Sequence, residues 1–335
     1  MIFDSSPSPL HESASAKGGA KIWIVIPVHN RVATTLRCLR GLQAVGAPSF
    51  ATILVVDDGS TDGTEGAIRE QFPEVRVAKG EGDLWWTGAV KKGTEIAIRE
   101  GAEYVIWLND DCLPNAGALE TLVAGSTRTG AIYGGICRSS SSGGVTYSGG
   151  FMPEVWPQPV LEAPSQSISC DWLHGNLVCI PRRVPLLIGF PDAERLPHNW
   201  GDIEYTYRAK VAGVTVILEP AASGVCDPDP GPFCQSWIDP SLRVRDIWLN
   251  FFNPKVWWYF PGLRYFMVRY FGLKGAWGLS LLIGKLVFLT FARPLLPGIL
   301  LRWRANIQSR RLRESRERAL AEVKQAKPGS DAGNG

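Results

Sequence analysis

The stretch Ile22–Val28, IWIVIPV, decides the fold, because its apolar residues follow one another without a polar break. A second run of this kind, TILVV at Thr52–Val56, ends in the turn sequence Asp57-Asp58-Gly59-Ser60. Strands that are covered on both faces in a parallel sheet have such continuous apolar runs. A helical stretch at Val32–Val45 separates the two runs, so their order predicts a βαβ unit.

The alternation of strands and helices continues beyond this unit. Further helices are predicted over Asp62–Gln71, Gly88–Glu100, Ala116–Val123 and Asp202–Val211. Further strands are predicted over Val75–Ala78, Tyr104–Leu108, Val214–Leu218 and Cys170–Ile180, the last one interrupted by His174-Gly175-Asn176. Asp62 with Glu65 three residues later has the spacing of a helix capping box. The whole pattern is typical of an α/β fold with a Rossmann-like, mostly parallel sheet flanked by helices.

Charge is divided unevenly along the 335 residues. Residues 1–240 carry 18 basic and 27 acidic side chains, whereas residues 241–335 carry 17 basic and 5 acidic ones. With 45% hydrophobic residues, the chain is not of the wholly disordered class. The basic tail points to an anionic partner, either nucleic acid or a membrane surface.

The cysteines are scattered and include no CxxC pair. They are Cys38, Cys112, Cys137, Cys170, Cys179, Cys226 and Cys234. An odd number without paired spacing argues against a disulfide framework and against a zinc site. We therefore expect buried free thiols in a reducing compartment.

Acidic side chains follow two of the predicted parallel strands. Asp57-Asp58 comes after the second strand, and Asn109-Asp110-Asp111 comes after Tyr104–Leu108. Ligands of open α/β sheets bind at this edge, and carboxylate oxygens suit Mg²⁺ or Mn²⁺. The alternative is that these are ordinary turn residues. The sequence has no GxxxxGK[ST] or GxGxxG loop, so phosphate would be held mainly through a metal.

Five segments together resemble, in order, the motifs of family 2 glycosyltransferases of the GT-A fold. They are Pro27–Asn30, Val55–Asp62, Gly82–Ala89, Trp107–Asp111 and Trp200–Glu204. The resemblance covers roughly Lys21–Pro220 and is greatest to bacterial enzymes of cell-surface polysaccharide assembly, such as rhamnosyl- and galactofuranosyl-type transferases. It implies an enzyme that uses a nucleoside-diphosphate-sugar and Mg²⁺ or Mn²⁺.

The resemblance also implies roles for individual residues. Asp111 would be the metal ligand, and Asp202 the general base that takes the proton of the acceptor hydroxyl. The donor-binding residues would be Pro27, Val28, Asn30, Asp58, Trp85 and Asp110. The acceptor-side or supporting residues would be His174, Trp200, Glu204 and Arg208. The alternatives are a helix-terminal acid for Asp202, a structural histidine for His174 and core packing for the tryptophans.

Two places depart from the family pattern. The first acid of the usual DxD motif is Asn109, which leaves Asp111 as the main metal ligand with Asp110 in support. Many relatives have a histidine after the closing strand, but residues 224–229 here are GVCDPD. Asp227 is the candidate for this third contact.

The C-terminal part is aromatic, apolar and basic. Gly275–Ala292 is apolar apart from Lys285. A spanning helix needs about 20 apolar residues, and a central lysine costs about 2.5–3.5 kcal/mol. A helix that lies in the membrane interface is therefore preferred, with a buried helical subdomain as the alternative. A nucleic-acid partner is disfavoured, because such apolar runs are not typical of nucleic-acid-binding proteins.

These observations predict the following division of the chain. Residues 1–20 form a disordered leader, 21–240 a GT-A catalytic domain, 241–305 a membrane-associating segment, and 306–335 a charged helix and tail. Within the catalytic domain, 21–137 is the nucleotide-binding half, 138–220 the acceptor half and 221–240 a linker.

The resulting hypothesis is an inverting glycosyltransferase. It would act on a lipid-linked or cell-surface glycan at the cytoplasmic face of the plasma membrane, as a peripheral protein. The alternatives are a membrane-associated sugar-nucleotide-binding protein without turnover and a nucleotidyltransferase.

Overall fold

The structure, a computed structural model, describes residues 21–153, 156–227 and 243–292. The predicted leader at 1–20 and the predicted charged helix and tail at 306–335 lie outside the described residues.

The described residues form strands and helices in the alternation that the sequence predicts. The strands are β1 Ile22–Val28, β2 Ala51–Asp57, β3 Arg76–Lys79, β4 Tyr104–Leu108, β5 Leu113–Pro114, β6 Ile132–Arg138, β7 Val145–Tyr147, β8 Gly149–Phe151, β9 Gln158–Pro159, β10 Ile168–Ser169, β11 Trp172–Leu173, β12 Leu177–Pro181 and β13 Val216–Val225. The helices are α1 Val32–Ala44, α2 Thr64–Gln71, α3 Trp85–Arg99, α4 Ala118–Thr129, α5 Arg183–Ile188, α6 Gly201–Val211, α7 Val244–Asn250 and α8 Phe260–Ala292.

The main sheet has the strand order β10-β13-β6-β12-β4-β1-β2-β3. The pairs β1–β2, β1–β4, β2–β3 and β6–β13 are parallel. Strand β12 runs antiparallel to both of its neighbours, β4 and β6. The predicted α/β class is confirmed, and the antiparallel strand in the middle of the sheet is the feature that the apolar runs did not indicate.

Helices cover both faces of this sheet. The side chains of β1 alternate between two apolar clusters, with Ile24 and Ile26 in one and Val25 in the other. Residues 23–28 are all buried, as the continuous apolar run predicts. Helix α3 packs closely on this strand at Gly93, where an added Cβ would overlap a methyl group of Val25 and lie 3.0 Å from Val56 Cγ2.

The predicted interruption of Cys170–Ile180 at residues 174–176 is present, since β11 lies before it and β12 after it. Three local predictions need correction. The first part of the predicted linker, residues 221–225, belongs to β13. Helix α3 begins at Trp85, three residues before the predicted Gly88. The capping box does not form, because the α2 N-cap is Gly63 and Glu65 pairs with Arg69 and Lys79.

The C-terminal helices pack on the catalytic half through an aromatic cluster. Trp200, at the start of α6, contacts Trp257 and Phe266 at ring distances of 4.6 and 5.1 Å. The hydroxyl of Tyr270 donates a 2.6 Å hydrogen bond to Glu204. Part of the predicted membrane-associating segment is therefore a packed element of the structure.

Helix α8 is bent at Gly272, whose φ of 51° is not helical. By length and composition it is apolar enough to cross a membrane, with a mean hydropathy of 1.6 and 24% of its most apolar window buried. A core helix of a soluble protein can have the same length and hydropathy.

The close contact at Gly93 gives a test of the packing. Gly93→Ala is expected to lower the free energy of unfolding by about 1–3 kcal/mol, because the new methyl group overpacks the β1–α3 contact. Gly66→Ala is the matched control, since nothing lies within 4 Å of its added Cβ. It is expected to raise this free energy by up to about 1 kcal/mol. Urea denaturation measures the free energy of unfolding of both variants. Equal changes in this free energy would contradict the close contact of α3 with β1 at Gly93.

Candidate active site

The loops after β1 and β2 are tied to each other. The side-chain oxygen of Asn30 accepts the Thr61 N–H at 2.7 Å, and the Asn30 N–H donates to Ser60 Oγ at 2.8 Å. The Asp58 N–H donates to the carbonyl of Val28 at 2.8 Å. These bonds bring the predicted donor-binding residues of the first two motifs together at the carboxyl edge of the sheet.

The Asp58 carboxylate is buried and holds a third loop at this edge. Its two oxygens accept the backbone N–H groups of Gly82 at 2.8 Å and Trp85 at 3.0 Å. Gly80 lacks the Cβ that would clash with Asp58. Each carboxylate oxygen has a second lone pair. Asp58 can therefore position this loop and still accept a hydrogen bond from a ligand.

Two tryptophans at the start of α3 have different surroundings. Trp85 has a φ of 55° and is 36% exposed, with Lys255 Nζ 5.8 Å from its ring centre. The indole N–H of Trp86 donates to Asn109 Oδ1 at 2.7 Å. Trp85 is thus partly open to solvent, whereas Trp86 fixes the residue that replaces the first acid of the DxD motif.

Asp110 and Asp111 share one guanidinium group. Arg31 contacts Asp110 Oδ1 at 3.1 Å and Asp111 Oδ2 at 2.9 Å. Thr35 also donates to Asp110 at 3.3 Å. Burial raises the pKa of Asp110 to about 7 although Arg31 opposes the shift. Burial likewise raises the pKa of Asp111 to about 6.

This pair of carboxylates fits a divalent cation. Two adjacent acids face one fixed positive charge, and a further cation would offset the cost of burying them as carboxylates. Their oxygen ligands are of the kind that Mg²⁺ and Mn²⁺ take. The Asn109 oxygen accepts the Trp86 indole N–H, and the residues predicted to hold a cation at this motif remain Asp111 and Asp110.

Asp227, the candidate for a third metal contact, is engaged elsewhere. Its oxygens accept the Ser140 N–H at 2.7 Å, Ser140 Oγ at 2.6 Å and Ser139 Oγ at 3.1 Å. In this structure Asp227 fixes the loop that follows β6.

Asp202 lies at the first turn of α6 and points to the strand that neighbours the acidic motif. Its Oδ2 accepts the Gly175 N–H at 2.7 Å. The next residue, Asn176, accepts the Asn109 N–H through its carbonyl at 3.2 Å. The β12–β4 register, with Leu177 opposite Leu108, produces this neighbourhood. The structure thus brings the predicted base and the predicted metal ligands to one edge of the sheet.

The predicted acceptor-side residues fall into two groups. His174 directly precedes Gly175, whose N–H bonds Asp202, and the His174 ring bonds the Ser148 carbonyl at 3.1 Å. Burial lowers the pKa of His174, and the Asp202 charge opposes that shift. Trp200 and Glu204 are buried, so they support the start of α6 and do not offer an open surface.

Arg208 has the same supporting role. It pairs with Glu204 at 3.1 Å and donates to the Phe190 carbonyl at 3.0 Å. Sequence reasoning missed Arg31 and Asn176. Arg31 directly follows the first motif at the end of a strand, which was the signal available for it.

Comparisons with known proteins show which sequences and folds this chain is similar to. Residues 23–169 match the sequence model of the family described as "Glycosyl transferase family 2". Glucosyl-3-phosphoglycerate synthases of Mycobacterium tuberculosis and Mycobacterium bovis are 25% identical over 178 residues, which are 48% of this chain and 52% of those proteins. The chain thus matches about half the length of these curated relatives.

Two solved glycosyltransferase structures are similar to this one, although their sequence identity to the chain is low. The structure of GalNAc-T7 with UDP, GalNAc and Mn²⁺ is 14% identical, has a TM-score of 0.52, and covers 76% of this chain and 51% of that one. The mannosyltransferase PcManGT from Pyrobaculum calidifontis, solved with GDP-Man and Mn²⁺, is 16% identical and has a TM-score of 0.48. The match covers 90% of this chain and 85% of that one. The likeness to GalNAc-T7 shows the fold, and the predicted GT-A fold is confirmed. In sequence over residues 23–169, and in fold, the chain is thus similar to the family 2 glycosyltransferases.

Proposed function

We propose that this protein transfers a sugar from a nucleoside-diphosphate-sugar to a hydroxyl group of a lipid-linked or cell-surface glycan, with inversion at the anomeric carbon. The observation that carries the proposal is the position of Asp202. Its carboxylate is bonded to Gly175, one residue from Asn176, and the Asn176 carbonyl bonds the acidic motif at Asn109. A base and a diphosphate-binding motif at one edge are the parts that a single displacement needs.

Asp202 is suited to act as the general base. The Gly175 N–H orients one carboxylate oxygen, and the start of α6 favours negative charge at this position. The oriented carboxylate takes the proton of the acceptor hydroxyl while that oxygen attacks the sugar. A direct attack of this kind needs no covalent sugar intermediate, so the configuration at the anomeric carbon inverts.

Asp111, supported by Asp110, is proposed to hold Mg²⁺ or Mn²⁺. GalNAc-T7, which has a similar fold, was solved with UDP and Mn²⁺. When bound, the cation offsets the charge that develops on the departing diphosphate. In this chain Arg31 lies against the same two carboxylates, so it orients them and neutralises part of their charge. Asp58 and Trp85 are placed to contact the nucleotide.

The exposed side of α8 supports a membrane-associated acceptor. Its exposed apolar side chains after the bend lie on one side of the helix and are Leu273, Trp277, Leu281, Ile283, Val287, Phe288 and Phe291. Leu279, Leu282 and Leu286 of the same helix are buried against the protein. Because one face is packed, a helix lying in the interface fits better than one that spans the bilayer. Lys274 and Lys285 add charge for anionic lipid.

The proposed location is the cytoplasmic face of the plasma membrane, with the protein bound peripherally. Six cysteines of the described residues are free and buried, which agrees with a reducing compartment.

Asp202→Asn tests the proposed base. Asparagine retains an oxygen that accepts the Gly175 N–H but does not take up a proton, so we expect kcat to fall by about 10²–10⁴-fold while the donor Kd is unchanged. Release of nucleoside diphosphate from a panel of sugar nucleotides with Mg²⁺ or Mn²⁺ is the assay. Glu120→Gln, an exposed acid of α4, is the control. Retained transfer in the asparagine variant would overturn the assignment, and pyrophosphate release would indicate a nucleotidyltransferase.

Asp111→Asn tests the metal site. Since the substitution removes the charge of the main ligand, we expect Mn²⁺ to bind at least tenfold more weakly, as measured by the electron paramagnetic resonance of free Mn²⁺. Asp227→Asn is the matched comparison, because Asp227 is occupied by the Ser139–Ser140 loop. A larger loss of Mn²⁺ binding in the Asp227 variant would identify Asp227 as the main ligand instead.

Leu273→Glu with Phe288→Glu tests the membrane surface. These side chains are 90% and 70% exposed, so the protein should fold normally. Each loses the gain from burying an apolar side chain, about 1.5–3 kcal/mol, so flotation with anionic vesicles should fall at least tenfold. Leu186→Glu, an exposed leucine of α5, is the control and should float like the original protein. Unchanged flotation of the double variant would exclude this surface as the membrane contact.

A further inference from the structure

Three cysteines that are far apart in the sequence meet below the acidic motif. Cys112 precedes β5, Cys137 lies in β6, and Cys226 follows β13. Strand β13 pairs with both β5 and β6, and this pairing places Gly224 opposite Cys137 and Val225 opposite Leu113. All three thiols are buried, and their Sγ atoms lie within 4.8 Å of one another.

The separations agree with the coordination of one metal ion. Cys112 Sγ and Cys137 Sγ are 3.7 Å apart. Tetrahedral zinc with Zn–S bonds of about 2.3 Å requires sulfur atoms about 3.8 Å apart. Gly224 contributes to this approach, since an added Cβ there would lie 3.3 Å from Cys112 Sγ.

Two further polar groups face the same sulfur. Asp111 Oδ1 lies 3.4 Å from Cys226 Sγ, close to the sulfur–oxygen separation of about 3.6 Å in a tetrahedral zinc site. The buried side chain of Asn176 donates its Nδ2–H to Cys226 Sγ at 3.4 Å. A donor of this kind is the outer-shell partner that metal ligands usually have. The cluster thus has three sulfur ligands, a candidate fourth ligand and an outer-shell donor.

We propose that Cys112, Cys137 and Cys226 bind one thiophilic cation of the Zn²⁺ class, with Asp111 Oδ1 as the fourth ligand. Sulfur ligands select such ions over Mg²⁺ and Mn²⁺. Each thiol releases its proton when the ion binds. This proposal differs from the expectation drawn from the cysteine spacing, which was against a zinc site. Sequence spacing was uninformative here because the three ligands come from three different strand ends.

The site has a consequence for the acidic motif. Asp111 Oδ2 contacts Arg31 and Oδ1 faces the thiols, so one carboxylate lies between both groups. An ion bound to the thiols would be coordinated by Asp111 Oδ1 as well. Because Asp111 is also the proposed main ligand of Mn²⁺ at the acidic motif, Mn²⁺ should then bind there at least tenfold more weakly.

Cadmium binding tests the proposal in the full chain. The protein is treated with chelator, kept reduced with a phosphine, and titrated with CdCl₂ while the ultraviolet cadmium–thiolate absorption is recorded. We expect the absorption to saturate at one Cd²⁺ per chain. Cys137→Ser should weaken the binding at least tenfold and reduce the absorption by about one third. Cys170→Ser and Cys179→Ser, at buried cysteines away from the cluster, should leave both unchanged.

Two results would overturn the proposal. One is the absence of cadmium–thiolate absorption in the original protein at stoichiometric CdCl₂, which does not depend on whether any variant folds. The other is an equal loss of absorption in the Cys179 and Cys137 variants. Circular dichroism of each variant shows whether it is folded. Because the measurement uses the metal alone, it is independent of whether the protein transfers a sugar.

Discussion

The candidate site depends on the pairing of β12 with β4. These strands run antiparallel with Leu177 opposite Leu108, so the residues before β12 lie beside the residues after β4. This register places Gly175 and Asn176 next to Asn109. A shift by one residue would turn every side chain of β12 to the other face of the sheet. Since β12 is buried along its whole length, such a shift is strongly disfavoured, and the position of Asp202 is fixed as a result.

Burial also explains the electrostatics of the acidic motif. Asp110 is almost completely buried and Asp111 is partly buried, yet both lie beside Arg31. Burial raises the pKa values of both carboxyl groups above the ordinary range, and the one guanidinium group of Arg31 only partly offsets this shift. The protein thus keeps an incompletely neutralised pair at a sheet edge, which is the arrangement that a cation or a cation-bound diphosphate stabilises.

The elements that depend on local sequence were predictable, and those that depend on distant contacts were not. The apolar runs predicted the bounds of β1, β2 and β4 to within one or two residues. A strand that is buried on both faces has a continuous apolar sequence, which can be recognised directly. The motifs placed Asp58, Asp111 and Asp202 at one edge. The direction of β12 was not predictable, since a five-residue apolar strand looks the same in either orientation. The sequence also did not predict that Cys112, Cys137 and Cys226 lie close together, because their proximity depends on how β13 pairs with β5 and β6.

The C-terminal segment is linked mechanically to the proposed base. Glu204 lies two residues after Asp202 on α6, and its buried carboxylate is held by Arg208 and by the hydroxyl of Tyr270 from α8. Trp200, at the start of α6, donates its indole N–H to the Trp257 carbonyl at 2.8 Å. Burying the Glu204 charge is costly unless these partners are present. The docking of α8 therefore stabilises the helix that carries Asp202, and the exposed apolar face of α8 is held in a fixed relation to that carboxylate. Under the proposed function, a membrane surface that binds this face would hold the site at a defined distance from a lipid-linked acceptor.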